Sequence, residues 1–134
     1  MSDHSIKSLI EKLEGAEGGS VALNAEICWA LERNWANRIY WRGAMGLPRD
    51  LPDEFSRLPR GLGIASLESG SPAYTTSLDA ALALAERVMS EDEALFWLNQ
   101  VVYRADQDTV NGTIRGLPLK LCAAILRAQS EARV

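Results

Sequence analysis

Tyr74-Thr75-Thr76-Ser77-Leu78-Asp79-Ala80-Ala81-Leu82-Ala83-Leu84 is a helix start running into an apolar helix, around which the other elements are expected to pack. Thr76 is placed to cap that helix, with Asp79 three residues on to close a capping box. Leu78, Ala81, Leu82, Ala85, Val88 and Met89 recur at i, i+3, i+4, i+7, i+10 and i+11, which sets them on one face.

Working outward toward the N-terminus, Ile6, Leu9, Ile10 and Leu13 have helical spacing, with Gly15 as terminator. Gly18-Gly19 breaks the chain. A second helix follows from Ser20 or Asn24, both good cap types, to about Arg33; it buries Leu23, Ile27, Ala30 and Leu31. Asn34 to Gly43 is rich in aromatic and β-branched residues around Ala36-Asn37, and predicts two short strands joined by a turn. From Gly43 to Ala73 no period holds. Pro48, Pro52, Pro59 and Pro72 fall there with Gly46, Gly61, Gly63 and Gly70, which predicts a long irregular loop with at most a short helix near Asp53 to Leu58.

Working toward the C-terminus, Ser90-Glu91-Asp92-Glu93 is a polar break. Ala94 to Arg104 then predicts the longest strand, with Leu95, Trp97, Val101 and Tyr103 on one face and Phe96, Leu98 and Val102 on the other. Asp106-Gln107-Asp108 suits a turn, and Thr109 to Ile114 a shorter pairing strand. Pro118 to about Gln129 closes the chain as a helix with Leu119, Cys122, Ala123 and Leu126 inward. The expectation is an α+β domain covering residues 1–134, its helices packed on a small, mainly antiparallel sheet.

Two segments, Pro72 to Leu84 and Leu117 to Ala128, resemble the small phage proteins of the phage ABA sandwich (alpha-beta-alpha) domain family. The matching residues are Tyr74, Thr75, Ser77, Asp79, Ala80 and Ala81, then Trp97. In the last helix they are Pro118, Leu119, Leu121, Cys122, Ala123, Ala124, Leu126, Arg127 and Ala128. Leu23-Asn24-Ala25-Glu26-Ile27 resembles the family's Leu-Asp-Ala-x-Ile helix start with asparagine for aspartate, and Leu117 stands where the family has threonine. The resemblance covers about a third of the chain and consists of packing and capping motifs. It implies an alpha-beta sandwich and a phage or prophage accessory protein acting in the bacterial host cytoplasm.

Composition bounds the chemistry. The chain has 134 residues, enough for one core without metal or disulfide staples. No apolar run nears membrane-spanning length, and the first residues have no signal-peptide pattern, so a soluble cytoplasmic protein is expected. Cys28 and Cys122 sit in apolar helical patterns as buried thiols. The net charge is −4, yet Arg33 to Arg60 holds six arginines against Asp50, Asp53 and Glu54, so that segment is +3 and the remainder −7.

Catalytic patterns are thin. His4 is the sole histidine and lies in a terminus that frays by default. Gly61-Leu62-Gly63 lacks the rest of a phosphate loop, and Asp106 with Asp108 suits turn capping better than a cation. No catalytic or metal-binding residues and no cofactor are assigned.

One constellation has binding chemistry: Trp29, Trp35, Tyr40 and Trp41 interleave with Arg33, Arg38 and Arg42. Guanidinium forks hold anions and indoles stack on bases or arginines. The plainer account makes the tryptophans core and the arginine stems their cover. As a site, its anchors are Arg38, Trp41, Arg42 and Arg49. The expected function is non-enzymatic: binding and blocking a host protein or protein–nucleic acid complex, plausibly a bacterial defence system. The alternative is a protein that sequesters a nucleotide signal, with room for a homo-oligomer.

Overall fold

The computed structural model describes residues 3–47, 49–52, 54–108 and 117–132. Among them are seven α-helices and no strand: α1 (Asp3–Gly15), α2 (Val21–Leu31), α3 (Arg33–Gly43), α4 (Leu62–Gly70), α5 (Leu78–Val88), α6 (Glu91–Asp108) and α7 (Leu117–Ala132). The α+β class and the alpha-beta sandwich implied by the resemblance are therefore corrected to a helical bundle. The expected strand at Thr109 to Ile114 and the chain termini lie outside the described residues, as do the side chains of His4, Asp106 and Asp108.

Two helices form the interior. In α7, six consecutive residues from Leu121 to Leu126 are buried, so this helix is enclosed on all sides rather than along one stripe. Small side chains at Cys122, Ala123 and Ala124 allow α1, α5 and α6 to approach it. In α2, Leu23, Ala25, Ile27, Cys28 and Trp29 are buried beneath α1, α3 and α4. Each fully buried Leu- or Ile-sized side chain contributes roughly 1.5–3 kcal/mol relative to exposure.

Tyr74 and Thr75 tie the two interior helices together. The Thr75 N–H (3.0 Å) and hydroxyl (2.7 Å) both donate to Asn24 Oδ1 on α2. The Ser20 N–H donates to Thr75 Oγ1 at 3.0 Å, while Ser20 Oγ caps α2 by accepting from the Leu23 N–H at 3.1 Å. The Tyr74 hydroxyl donates to Glu32 at the far end of α2, and Cys122 Sγ on α7 donates to the Tyr74 carbonyl at 3.2 Å. Gly19 makes this possible, because a Cβ there would sit 2.3 Å from the Thr75 carbonyl oxygen.

Three expected elements change for identifiable reasons. Ala94 to Arg104 lies within α6, and Ser90 explains it: its hydroxyl accepts from the Glu93 N–H at 3.2 Å, while Glu91, Asp92 and Glu93 occupy the positive end of the helix. The polar break was a capping sequence. Asn34 to Gly43 is α3, whose Ala36, Ile39, Tyr40 and Gly43 fall at i, i+3, i+4 and i+7. The irregular stretch is shorter than expected, since α4 forms within it; the 3-10 turn at Phe55–Arg57 falls where the short helix near Asp53 to Leu58 was expected. The α5 cap is Ser77 rather than Thr76, with Ser77 Oγ accepting from the Ala80 N–H at 3.3 Å.

α4 packs along α3 because Gly63 presents no side chain to the Tyr40 ring. A Cβ at Gly63 would meet Tyr40 ring carbons at 2.4–2.6 Å, and the Tyr40 hydroxyl is fixed by donating to the Pro59 carbonyl at 3.2 Å. Gly63→Ala is expected to destabilise the fold by about 1–3 kcal/mol in urea unfolding. Gly15→Ala, which opens onto empty space at a helical position, is the control and does not lower the midpoint.

Candidate functional site

The two sides of α3 face different surroundings. Its inner side seats Ala36 and Tyr40 in the core. Its outer side carries Trp35, Arg38 and Arg42 at i, i+3 and i+7, all exposed. Arg38 and Arg42 stand one turn apart and make no hydrogen bond or ion pair with the described residues. Trp41 is half-buried. Its indole N–H donates to the Arg49 carbonyl at 3.2 Å, and the Tyr40 ring meets it edge-on at 5.0 Å. The Arg49 guanidinium folds back to 5.3 Å from the Trp41 ring. Arg38, Trp41, Arg42 and Arg49 thus lie on α3 and the turn that follows it.

The rest of the arginine-aromatic segment is differently placed. Trp29 is core, with the Arg33 guanidinium 3.6 Å above its ring. Arg33 also donates to the Trp29 and Pro52 carbonyls at 3.1 and 3.3 Å. For this pair the plainer account applies: arginine covers a buried indole. Arg57 pairs with Glu54 at 3.4 Å, and Arg60 lies 5.8 Å from the Phe55 ring.

Sequence reasoning passed over the end of α3. There the Gly46 N–H donates to the Trp41 carbonyl at 3.0 Å and the Met45 N–H to the Arg42 carbonyl at 3.3 Å, a Schellman closure. Its left-handed position is normally glycine, but Met45 occupies it at φ 57°. For a side-chain-bearing residue that conformation costs about 1–2 kcal/mol. Met45 is nevertheless 88% exposed and Leu47 82%, and Leu62, also exposed, flanks the same helix end. The only signal in the sequence was a methionine where the helix stop called for glycine.

A second cluster holds the shifted side chains. Arg87 clasps Glu32 with two hydrogen bonds, Nε to Oε2 at 2.9 Å and Nη2 to Oε1 at 2.8 Å, and Tyr74 adds a third. Burial on its own would raise the Glu32 carboxyl, but the hydrogen bonds from Arg87 and Tyr74, with the Arg87 charge, hold it below its usual range. Burial and the Glu32 contact push the Tyr74 hydroxyl far up. Burial raises the Cys28 thiol and pushes Cys122 up to about 12, so neither offers a ready thiolate. Each polar group of Tyr74, Glu32 and Arg87 points at another, which makes the cluster a lock between α2, α5 and the segment before α5. Among the described residues no group of three or more His, Cys, Asp or Glu is placed to hold a metal ion, and no helix is long and apolar enough to cross a membrane.

Comparison with protein-family models, curated proteins and solved structures finds no match for this chain.

Because the folded-state Glu32 value is depressed, its stabilisation is complete above the unfolded carboxylate range and is lost as pH falls through the folded value. The thermal midpoint of the wild type is expected to drop more steeply than that of Glu32→Gln as pH falls from the ordinary carboxylate value of 4.5 toward the lower folded value, and the two curves run parallel above it. Curves that stay parallel below it would remove Glu32 from the acid response. Met45→Gly is expected to raise stability by about 1 kcal/mol in urea unfolding by relieving the left-handed strain.

Proposed function

We propose that the chain is a non-enzymatic interaction protein that grips an acidic protein surface with the outer side of α3 and the turn beyond it. The observation that carries this reading is the pair of exposed guanidiniums at Arg38 and Arg42, which pair with none of the described residues, followed along the chain by an exposed methionine held in a strained backbone position. Arginine, tryptophan and methionine are the residue types enriched where proteins dock. Trp41 and Arg49 brace each other at the rim, and Trp35 adds an exposed indole one turn earlier.

The phage resemblance in the sequence supplies the setting of this proposal: an accessory protein of phage or prophage type whose partner is a host factor, a bacterial defence complex being the leading class. Support for it is the matched capping and packing residues, without the sheet that the family name implies. Binding to such a factor needs surface complementarity and no tuned catalytic group. A nucleotide-holding role requires an arginine fork beside a free aromatic face. Trp29 is covered by Arg33 and Trp41 has Arg49 packed against it; Trp35 is exposed near Arg38, but the arginine row runs on into the exposed apolar Met45 and Leu47, which favours a protein partner.

A photo-crosslinking residue at position 42, with position 11 on the exposed side of α1 as control, locates the partner in cells. Position 42 is expected to capture an acidic protein that position 11 does not. Binding of that purified protein is expected to weaken at least about tenfold in Arg38→Glu/Arg42→Glu and to fall with added salt. Equal capture from both positions, or affinity untouched by the double charge reversal, removes the assignment.

A further inference from the structure

A second face is complementary to the one just described. On α6, Leu95 is 52% exposed and Phe96 55%, with Glu91, Asp92 and Glu93 exposed in the turn before them. Two adjacent large apolar side chains this exposed, on a helix otherwise packed against α7 and α5, offer a contact surface. The charge order is informative. Along α3 the basic pair Arg38 and Arg42 comes first and the apolar pair Met45 and Leu47 follows. Along α6 the acids come first, and Leu95-Phe96 follow within a turn.

We propose that α6 of a second copy of this chain docks on the α3 face of the first, the two helices running parallel. In that orientation acids lie over arginines and Leu95-Phe96 over Met45-Leu47; the antiparallel orientation would set the acids against apolar residues. Within one copy α6 packs mainly on α7 and α5, whereas α3 packs mainly on α4 and α2. By sequence the segment from Arg33 to Arg60 is +3, while α6 holds five acids (Glu91, Asp92, Glu93, Asp106, Asp108) against Arg104, so these two parts attract although each chain is net −4.

Because the two contacting faces differ, the interface is head-to-tail and leaves one unused face of each kind at the ends of a pair, from which a ring or a row of copies grows. The inference rests on the reading of the α3 face as a binding surface, and it adds that self-association and the acidic partner compete for that face.

The test combines sedimentation with cysteine trapping in the full chain. The wild type is expected to gain mass from low micromolar to near-millimolar concentration and to lose it in high salt. Leu95→Ala/Phe96→Ala, which alters exposed positions only, is expected to weaken association at least about tenfold. Under mild oxidation a mixture of Met45→Cys and Phe96→Cys chains is expected to form a disulfide-linked pair faster than either chain by itself. A wild type that stays monomeric throughout, or either cysteine chain linking alone as fast as the mixture, overturns the proposal. If Leu95→Ala/Phe96→Ala sediments as the wild type does, the proposal fails equally. The α3 reading is judged separately by crosslinking from position 42 in the Leu95→Ala/Phe96→Ala chain: capture of an acidic protein there sustains that reading even where self-association fails.

Discussion

The fold depends on a buried dipeptide. Tyr74 and Thr75 enter between α2 and α7 with both hydroxyls, both N–H groups and the Tyr74 carbonyl engaged, and an unengaged group at that depth costs about 1–3 kcal/mol. Asn24 alone accepts two hydrogen bonds from Thr75, which explains an amide in an otherwise apolar helix. Since the same dipeptide touches both ends of α2, through Ser20 and through Glu32, it fixes that helix along its whole length. Arg87 then brings α5 to the same carboxylate. With α2 held, α3 and α4 have a fixed platform, and the outer side of α3 is positioned as a consequence.

The legible part of the fold was the part written in caps and periods. Ser20 with its apolar followers marked α2, and the apolar residues of α1, α5 and α7 stood at helical spacing. What misled was composition. In α6, Phe96, Trp97, Val101 and Val102 have strand propensities, and apolar residues on both faces suggested a central strand. Propensity is a weak prior, and the Ser90-x-x-Glu93 sequence with three acids in the first turn outweighs it here. The same error occurred in α3, where aromatic density hid the i, i+3, i+4, i+7 pattern of Ala36, Ile39, Tyr40 and Gly43. α4 was hidden by its glycines, which break a helix read alone yet are required where Tyr40 lies against Gly63.

The site was legible as chemistry and not as shape. Counting residues located an arginine-rich, tryptophan-rich segment, but one-dimensional spacing does not say which guanidiniums are already engaged. Arg33 and Arg38 are five residues apart and have opposite fates: one covers a core indole, the other stands clear of any described partner. That division follows from their places on α3: Arg33 opens the helix and reaches back to the Trp29 carbonyl, whereas Arg38 lies on the exposed outer side. A strand reading would have set Arg38 and Arg42 on one sheet face roughly 13 Å apart; on a helix they are one turn apart, about 6 Å along the axis. The correction of the fold therefore concentrates the positive charge.

Met45 links the stability of the bundle to its use. Helix ends are free to take glycine at the left-handed position, and a chain under selection for stability alone has no reason to place an exposed thioether there. The conformational cost is local and the side chain contributes nothing to the core, being almost wholly in water. What the position does supply is exposure: the left-handed residue just past the last turn leaves its side chain in water at the end of the helix that carries Arg38 and Arg42. An unbranched, polarisable side chain at the edge of a charged row adapts to a partner's contour where a rigid one would not. Under the proposed reading the strain and the exposure share one explanation, that this end of α3 meets another surface.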